Sequence, residues 1–384
     1  MNLMDELRAA RPAHLGDRPV DPRTRDAELA RAMARPRPAR RRRVTVRPAW
    51  GLGLAGAAAA VTAVVVVVSG NGTVPTPRGP DGGRPVAVSP STVPGTRVRL
   101  SARDVLLAAA KKADRRSEGD GAYWHTASVT RSVYSAARGG YRVMDLQRSE
   151  LWTPAAAGGE RWGRDQTLGA RPATEEDRQA WERAGSPGEI DVVVPGKAGG
   201  PLKLKTSAGK ARTSHGPLVD GDKVFWLGRN VTMKDLRGLP SDPGGLKRWL
   251  LRSYDGHDTE SSSVPMGSDT WLFRVSVGLI TDMPVTPRVR GAAFRMLAGL
   301  DTVKVIENVV DGEGRQGTAV AVEERVKGSG VLEHRLILDM ATGQALGIQS
   351  VVVEPGGRRA DFEPGTVVGS TTVLEAGWTD AKPS

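Results

Sequence analysis

The chain has 384 residues, a formal net charge of +12 and no cysteine. Without thiols there is no disulfide framework, no thiolate chemistry and no cysteine-linked lipid anchor, so any part folded outside a cell is held by packing alone. The positive balance invites a nucleic-acid reading. More than half of it, +7, sits in residues 1–48 beside an apolar segment, where anionic lipid is the nearer partner, and no direct nucleic-acid contact is expected.

The N-terminal arm, residues 1–48, holds thirteen Arg, no Lys and six Asp or Glu. Asp21-Pro22 opens a candidate helix that runs through Glu28, Leu29 and Met33, with proline at the first helical position. Pro36 and Pro38 end it. An arm this short cannot bury a core, so it is either disordered or folds on a partner.

Ala49–Val68 reads AWGLGLAGAAAAVTAVVVVV and has no charge. A helix of that length is about 30 Å long, which matches the hydrocarbon core of a bilayer. Arg40, Arg41, Arg42, Arg43 and Arg47 precede it. Basic residues stay on the cytoplasmic side, which predicts N-terminus in and C-terminus out at the cell membrane. Trp50 fits an interfacial anchor. A cleaved secretory signal would have a shorter apolar core and a small-residue cleavage site; no A-x-A stands at Val68-Ser69-Gly70, and the segment is read as a signal anchor. Gly51-Leu52-Gly53-Leu54-Ala55-Gly56 spells a dinucleotide fingerprint, but no strand precedes it. Gly53 and Ala57 are spaced for close helix contact in lipid, which would make a homodimer; ordinary small-residue content of a membrane helix accounts for them equally well.

Residues 69–99 contain six Pro and no aromatic residue, the composition of an extended linker rising about 3 Å per residue. Residues 100–384 follow as one α+β domain. Ser101-Ala102-Arg103-Asp104 is a capping box with Leu100 and Val105 as its staple, and the helix is predicted to run to about Arg116. Ala122–Tyr134 and Tyr141–Thr153 alternate as half-buried strands, the second with Met144, Leu146 and Trp152 on one face. A short strand is expected around Trp162. Thr174-Glu175-Glu176-Asp177 caps a helix carrying Trp181. Residues 195–222 read as a loop, Lys223–Leu227 as a strand and Pro243–Tyr254 as a helix. Thr270–Leu279 fits helix or strand, and Thr286-Pro287 starts a helix to Ala298. Thr302–Val310, Thr318–Arg325, Val331–Leu338 and Gln344–Val353, joined by short turns, form an antiparallel meander, with Thr366–Gly377 as a further strand. In Val331–Leu338, Leu332, Leu336 and Leu338 face one way together with His334, while Glu333 and Arg335 face the other.

Catalytic signatures are missing. There is no nucleophile elbow, no Walker sequence and no short-range ligand spacing among His14, His125, His215, His257 and His334, so no catalytic residue, metal ligand or cofactor is assigned. His334 is read as a strand residue with a satisfied hydrogen bond, and His125 as a packing residue. Asp311, Glu313, Glu323 and Glu324 are read as turn and solvated-face residues. Trp124, Trp152 and Trp162 fall in consecutive strands. With Met144 and Leu146 they would line an apolar ligand pocket on a curved sheet; the plainer reading is that they fill the ordinary core between sheet and helix.

The order of basic arm, single span, Pro-rich linker and outer domain resembles a family of uncharacterised single-pass membrane proteins of high-GC Gram-positive bacteria, often encoded beside extracytoplasmic-function sigma factors. The resembling residues are Met4-Asp5-Glu6-Leu7, Leu239-Pro240-Ser241-Asp242-Pro243, Leu279–Leu300, and Leu336-Ile337-Leu338-Asp339 with Thr342-Gly343. A helix lying against a curved antiparallel sheet is also similar to the lipoprotein-carrier fold and to outer domains of envelope-stress regulators. The first resemblance implies a sigma factor bound by residues 1–47, although the His/Cys zinc motif of anti-sigma modules is absent. The second implies a tethered carrier of lipid or acyl chains. The residues themselves point to a membrane-anchored envelope protein whose non-enzymatic outer domain binds or senses a ligand.

Overall fold

The computed structural model describes residues 100–194, 201–227, 229–259, 264–326 and 328–383. The arm with Arg40–Arg43 and Arg47, the span Ala49–Val68 with Gly53 and Ala57, and the linker 69–99 lie outside the described residues. Among the described residues no helix is long and apolar enough to cross a membrane.

The capping box at Ser101 is in place. Its hydroxyl accepts from the Asp104 amide and the Asp104 carboxylate accepts back from the Ser101 amide, starting α1, Ala102–Asp114. Three long strands follow: β1 Tyr123–Ser135, β2 Arg142–Pro154 and β3 Glu160–Pro172. The strand around Trp162 is thus far longer than predicted. Its residues Arg161, Arg164, Asp165 and Gln166 are polar on both faces, which hides the alternation that marks a half-buried strand. Thr174 caps α2, Glu175–Arg183. The stretch read as a loop instead contains β5, Leu202–Lys205, paired with β4, Glu189–Val192, and β6, Arg212–Pro217, paired with β3. A small hairpin, β7 Lys223–Trp226 and β8 Arg229–Thr232, leads into α3, Met233–Arg237. Then come α4 Pro243–Leu251, α5 Ser268–Thr281 and α6 Pro287–Leu297. The chain continues as β9 Lys304–Val310, β10 Gln316–Val326, β11 Gly330–Leu338, β12 Ala345–Glu354 and β13 Val367–Thr379.

Nine of these strands form one antiparallel sheet in the order β6-β3-β2-β1-β13-β12-β11-β10-β9. It consists of two meanders, β1-β2-β3 and β9-β10-β11-β12, joined through β13, which pairs with β1 on one side and β12 on the other. The fold is therefore α+β, with helices packed on an antiparallel sheet, and all described residues belong to one compact unit.

The main core lies between the helices and the second meander. Val320 and Val322 of β10 and Leu336 and Leu338 of β11 meet Leu106 and Ala110 of α1, Leu246 and Leu250 of α4, Trp271, Leu272 and Leu279 of α5, and Phe294 and Leu297 of α6. Nearly every residue of α5 is buried. That explains why its sequence has no helical period: with no face left in water, there is no polar stripe to read. Full burial of a Leu or Phe contributes about 1.5–3 kcal/mol each, so this cluster dominates the stability of the helical layer. A cross-tie joins the two meanders. Arg131 of β1 donates to Thr372 Oγ1 at 3.0 Å and pairs with Glu313 in the β9–β10 turn.

Candidate functional site

Successive side chains of a strand point to opposite faces, so Trp124 and His125 at the start of β1 part company. His125 stands directly opposite Trp152 of β2. Trp152 stands opposite Trp162 of β3, and Trp162 opposite His215 of β6. Four consecutive strands thus contribute one row of rings across the sheet. The row is two stacked pairs: His125 on Trp152, with centroids 4.4 Å apart at 23°, and Trp162 on His215, 4.4 Å apart at 22°. Exposure rises along it. Trp152 is 6% exposed and His125 8%, Trp162 is half-buried, and the His215 side chain at the sheet edge is 53% exposed.

Carboxylates flank the row. Glu375 Oε1 lies 3.5 Å from His125 Nδ1, Glu150 Oε2 lies 3.8 Å from His125 Nε2, and Glu160 Oε2 lies 3.3 Å from His215 Nδ1. The 3.8 Å approach is too long for a hydrogen bond. His125 Nε2 and Trp162 Nε1 are shielded from solvent and have no hydrogen-bond partner. Buried polar atoms are normally satisfied, and these two are exceptions within the row. Chemically the row offers π surface, two indole N–H donors, two imidazoles and acids at its margins. Such a set is chemically suited to apolar faces bearing hydroxyl or amine groups. Among the described residues no cluster of three or more His, Asp or Glu is arranged to hold a metal ion.

The five residues proposed to line an apolar pocket are not gathered in one place. Trp152 and Trp162 meet in the row. Trp124 is on the other face, where its Nε1–H donates to the Asp282 carbonyl at 2.7 Å and its ring meets Trp378 edge-on at 5.4 Å. Met144 and Leu146 pack with Val133, Leu332, Val352, Phe362 and Val368 in a cluster of their own. The contribution of His215 was not foreseen. RTSHGP is an edge strand with no large apolar side chain and no alternation to mark it, and only the cross-strand register brings its histidine to Trp162.

A second constellation lies under α5. His334 is a β11 residue with both ring nitrogens engaged, Nε2 with Glu324 Oε2 at 2.9 Å and Nδ1 with Ser350 Oγ at 3.1 Å. Arg274 of α5 reaches Asp258 Oδ2 at 2.6 Å and Glu324 Oε2 at 3.5 Å. Glu324, expected on a solvated face, is only 7% exposed, because its half of β10 is covered by α5. Burial lowers the pKa of His334, opposed by the Glu324 hydrogen bond and helped by the charges of Arg274 and Arg359. Burial works against ionised Glu324, yet the His334 hydrogen bond and the Arg274 charge outweigh it and hold the carboxyl below its ordinary range. The order Ser350–His334–Glu324 has the connectivity of a hydrolytic relay. Ser350, however, sits mid-strand with β11 on one side and β13 on the other, which engages the backbone amides that an oxyanion site would require. The arrangement locks α5 to the sheet through a neutral imidazole and an ionised carboxylate.

No protein-family model matches the chain, and comparison with curated proteins also gives no match.

Proposed function

We propose that residues 100–384 form a non-enzymatic binding or sensing domain, held on the outer side of the cell membrane by the span Ala49–Val68, with the His125–Trp152–Trp162–His215 row as its ligand surface. The observation that carries this reading is the row itself: four rings placed side by side by strand register, with two unsatisfied polar atoms among them. The uncharged segment with five arginines just before it supports the topology. Residues 1–47 are then cytoplasmic, in reach of a sigma factor, as the family resemblance implies.

Two measurements test this. Protease added to intact cells should degrade the C-terminal domain and spare an epitope on the arm; full protection of the domain would defeat the topology. The detergent-solubilised full chain should show saturable fluorescence changes with a member of an envelope glycan, amine or lipid panel. Trp162→Ala and His215→Ala should weaken that response at least tenfold without altering the thermal midpoint. A response unaffected by both substitutions would remove the row from the reading.

A further inference from the structure

The opposite face of the same sheet end carries an unbalanced positive charge. Arg290, in α6, is half-buried and lies with its guanidinium 5.5 Å from the ring centroid of Trp124. Its Nη2 donates to the Met283 carbonyl at 3.2 Å, while Nε, shielded from solvent, has no partner. Burial, and after it the like charge of Arg116 just beyond α1, hold Arg290 down to about 10. Arg116 is steadied by the Gln344 amide oxygen, 2.8 Å from Nη1 once that amide is oriented to accept. Neither arginine forms an ion pair within the described residues.

The nearby acids are committed elsewhere. Asp114 pairs with Arg295, Glu118 with Arg237, and the Asp282 carboxylate accepts from the Thr281 hydroxyl. The opening turn of α6 contains no acid either, although Arg288 and Arg290 stand at its positive end. Desolvating a guanidinium costs several kcal/mol unless an opposite charge compensates, and folded proteins rarely leave one without it.

We propose that Arg290 and Arg116, with the face of Trp124 as one wall, form a binding site for a phosphate-type oxyanion. The planar guanidinium fork suits two oxygens of such a group, and a second cation beside it completes the charge match. The shared chemistry is the tetrahedral anion, which either free phosphate or a lipid headgroup could present.

The test uses the full chain in zwitterionic detergent at fixed ionic strength, with tryptophan fluorescence and the thermal midpoint as readouts. The probes are inorganic phosphate, sulfate, dihexanoyl phosphatidylglycerol and dihexanoyl phosphatidylcholine. We expect saturable binding of at least one anionic probe and none of phosphatidylcholine. Arg290→Gln should weaken binding at least tenfold, and Arg290→Lys should also weaken it, because the fork is lost while the charge stays. Arg116→Gln changes an exposed side chain, so it tests the site even if the Arg290 variants fold poorly. Binding of phosphate or sulfate would identify a soluble oxyanion; binding of phosphatidylglycerol alone would identify a headgroup. No saturable binding of any anionic probe, or equal binding by the wild type and Arg116→Gln, would overturn the proposal.

Discussion

Arg274 shows how much a single side chain organises here. It is 8% exposed and holds Asp258 and Glu324, from a loop and a strand far apart in sequence. Removing one member of a buried ionic cluster leaves the others charged in a poor solvent, which typically costs 3–5 kcal/mol. Arg274→Met is therefore expected to lower stability by about 3–5 kcal/mol, read as a drop in the urea midpoint. His334 gives a pH signature. Unfolded, it takes a proton near 6.5; folded, it resists until a lower pH. Below 6.5 the unfolded chain thus binds more protons, and stability falls as pH falls through that window. Asp282, pushed up to about 6 by burial, acts in the opposite sense, since the folded chain takes up its proton first. Comparison with a variant separates the two: His334→Gln should lose less stability than wild type between pH 7 and 5. Equal slopes would show that His334 already titrates normally. The sequence placed His334 on the apolar face of its strand with a satisfied hydrogen bond, as found, but not beside its partners, because Glu324, His334 and Arg274 share no local spacing.

Elements with local signals were legible. The capping boxes at Ser101 and Thr174 and the proline starts at Asp242-Pro243 and Thr286-Pro287 all open helices in the structure, since a cap is a bargain struck among four neighbouring residues. The meander from β9 to β12 was equally clear, from its turns and alternation. Elements without a two-sided environment were not. α5 is buried all round, and β6 is exposed at every position but Gly216; each lacks the contrast between faces on which pattern reading depends. The same logic explains why the aromatic residues were assigned to strands but not to faces: residues of neighbouring strands share a face only through register, which the local sequence does not state. Packing between α1 and α6 makes a further point. Ala109, Ala110 and Ala113 on one helix and Ala292 and Ala293 on the other are at most 3% exposed, so small side chains set the approach. Ala110→Leu is expected to overpack this seam and cost about 1–3 kcal/mol, seen as a lower thermal midpoint with unchanged far-UV dichroism at 25 °C.

At the scale of the molecule, the two meanders depend on one strand. Thr130 and Thr371, hydroxyl to hydroxyl at 3.1 Å, are 241 residues apart in sequence, and no local pattern could have announced their meeting. A chain ending at residue 366 keeps both meanders but loses the strand between them, exposing the inner edges of β1 and β12. Such a truncation should show no cooperative urea transition; a transition matching that of the intact protein would mean that each meander folds independently.

This position of β13 also sets a timetable. A ribosome delivers β1 first and β13 last of the sheet's strands, so the seat at the centre stays vacant until every other strand of the sheet has been made. Until then two long strand edges are open to pairing with other chains, and contacts this distant in sequence form slowly even when all their parts are present. The sheet therefore closes only once β13 has been made, whatever the order in which the rest of the chain settles.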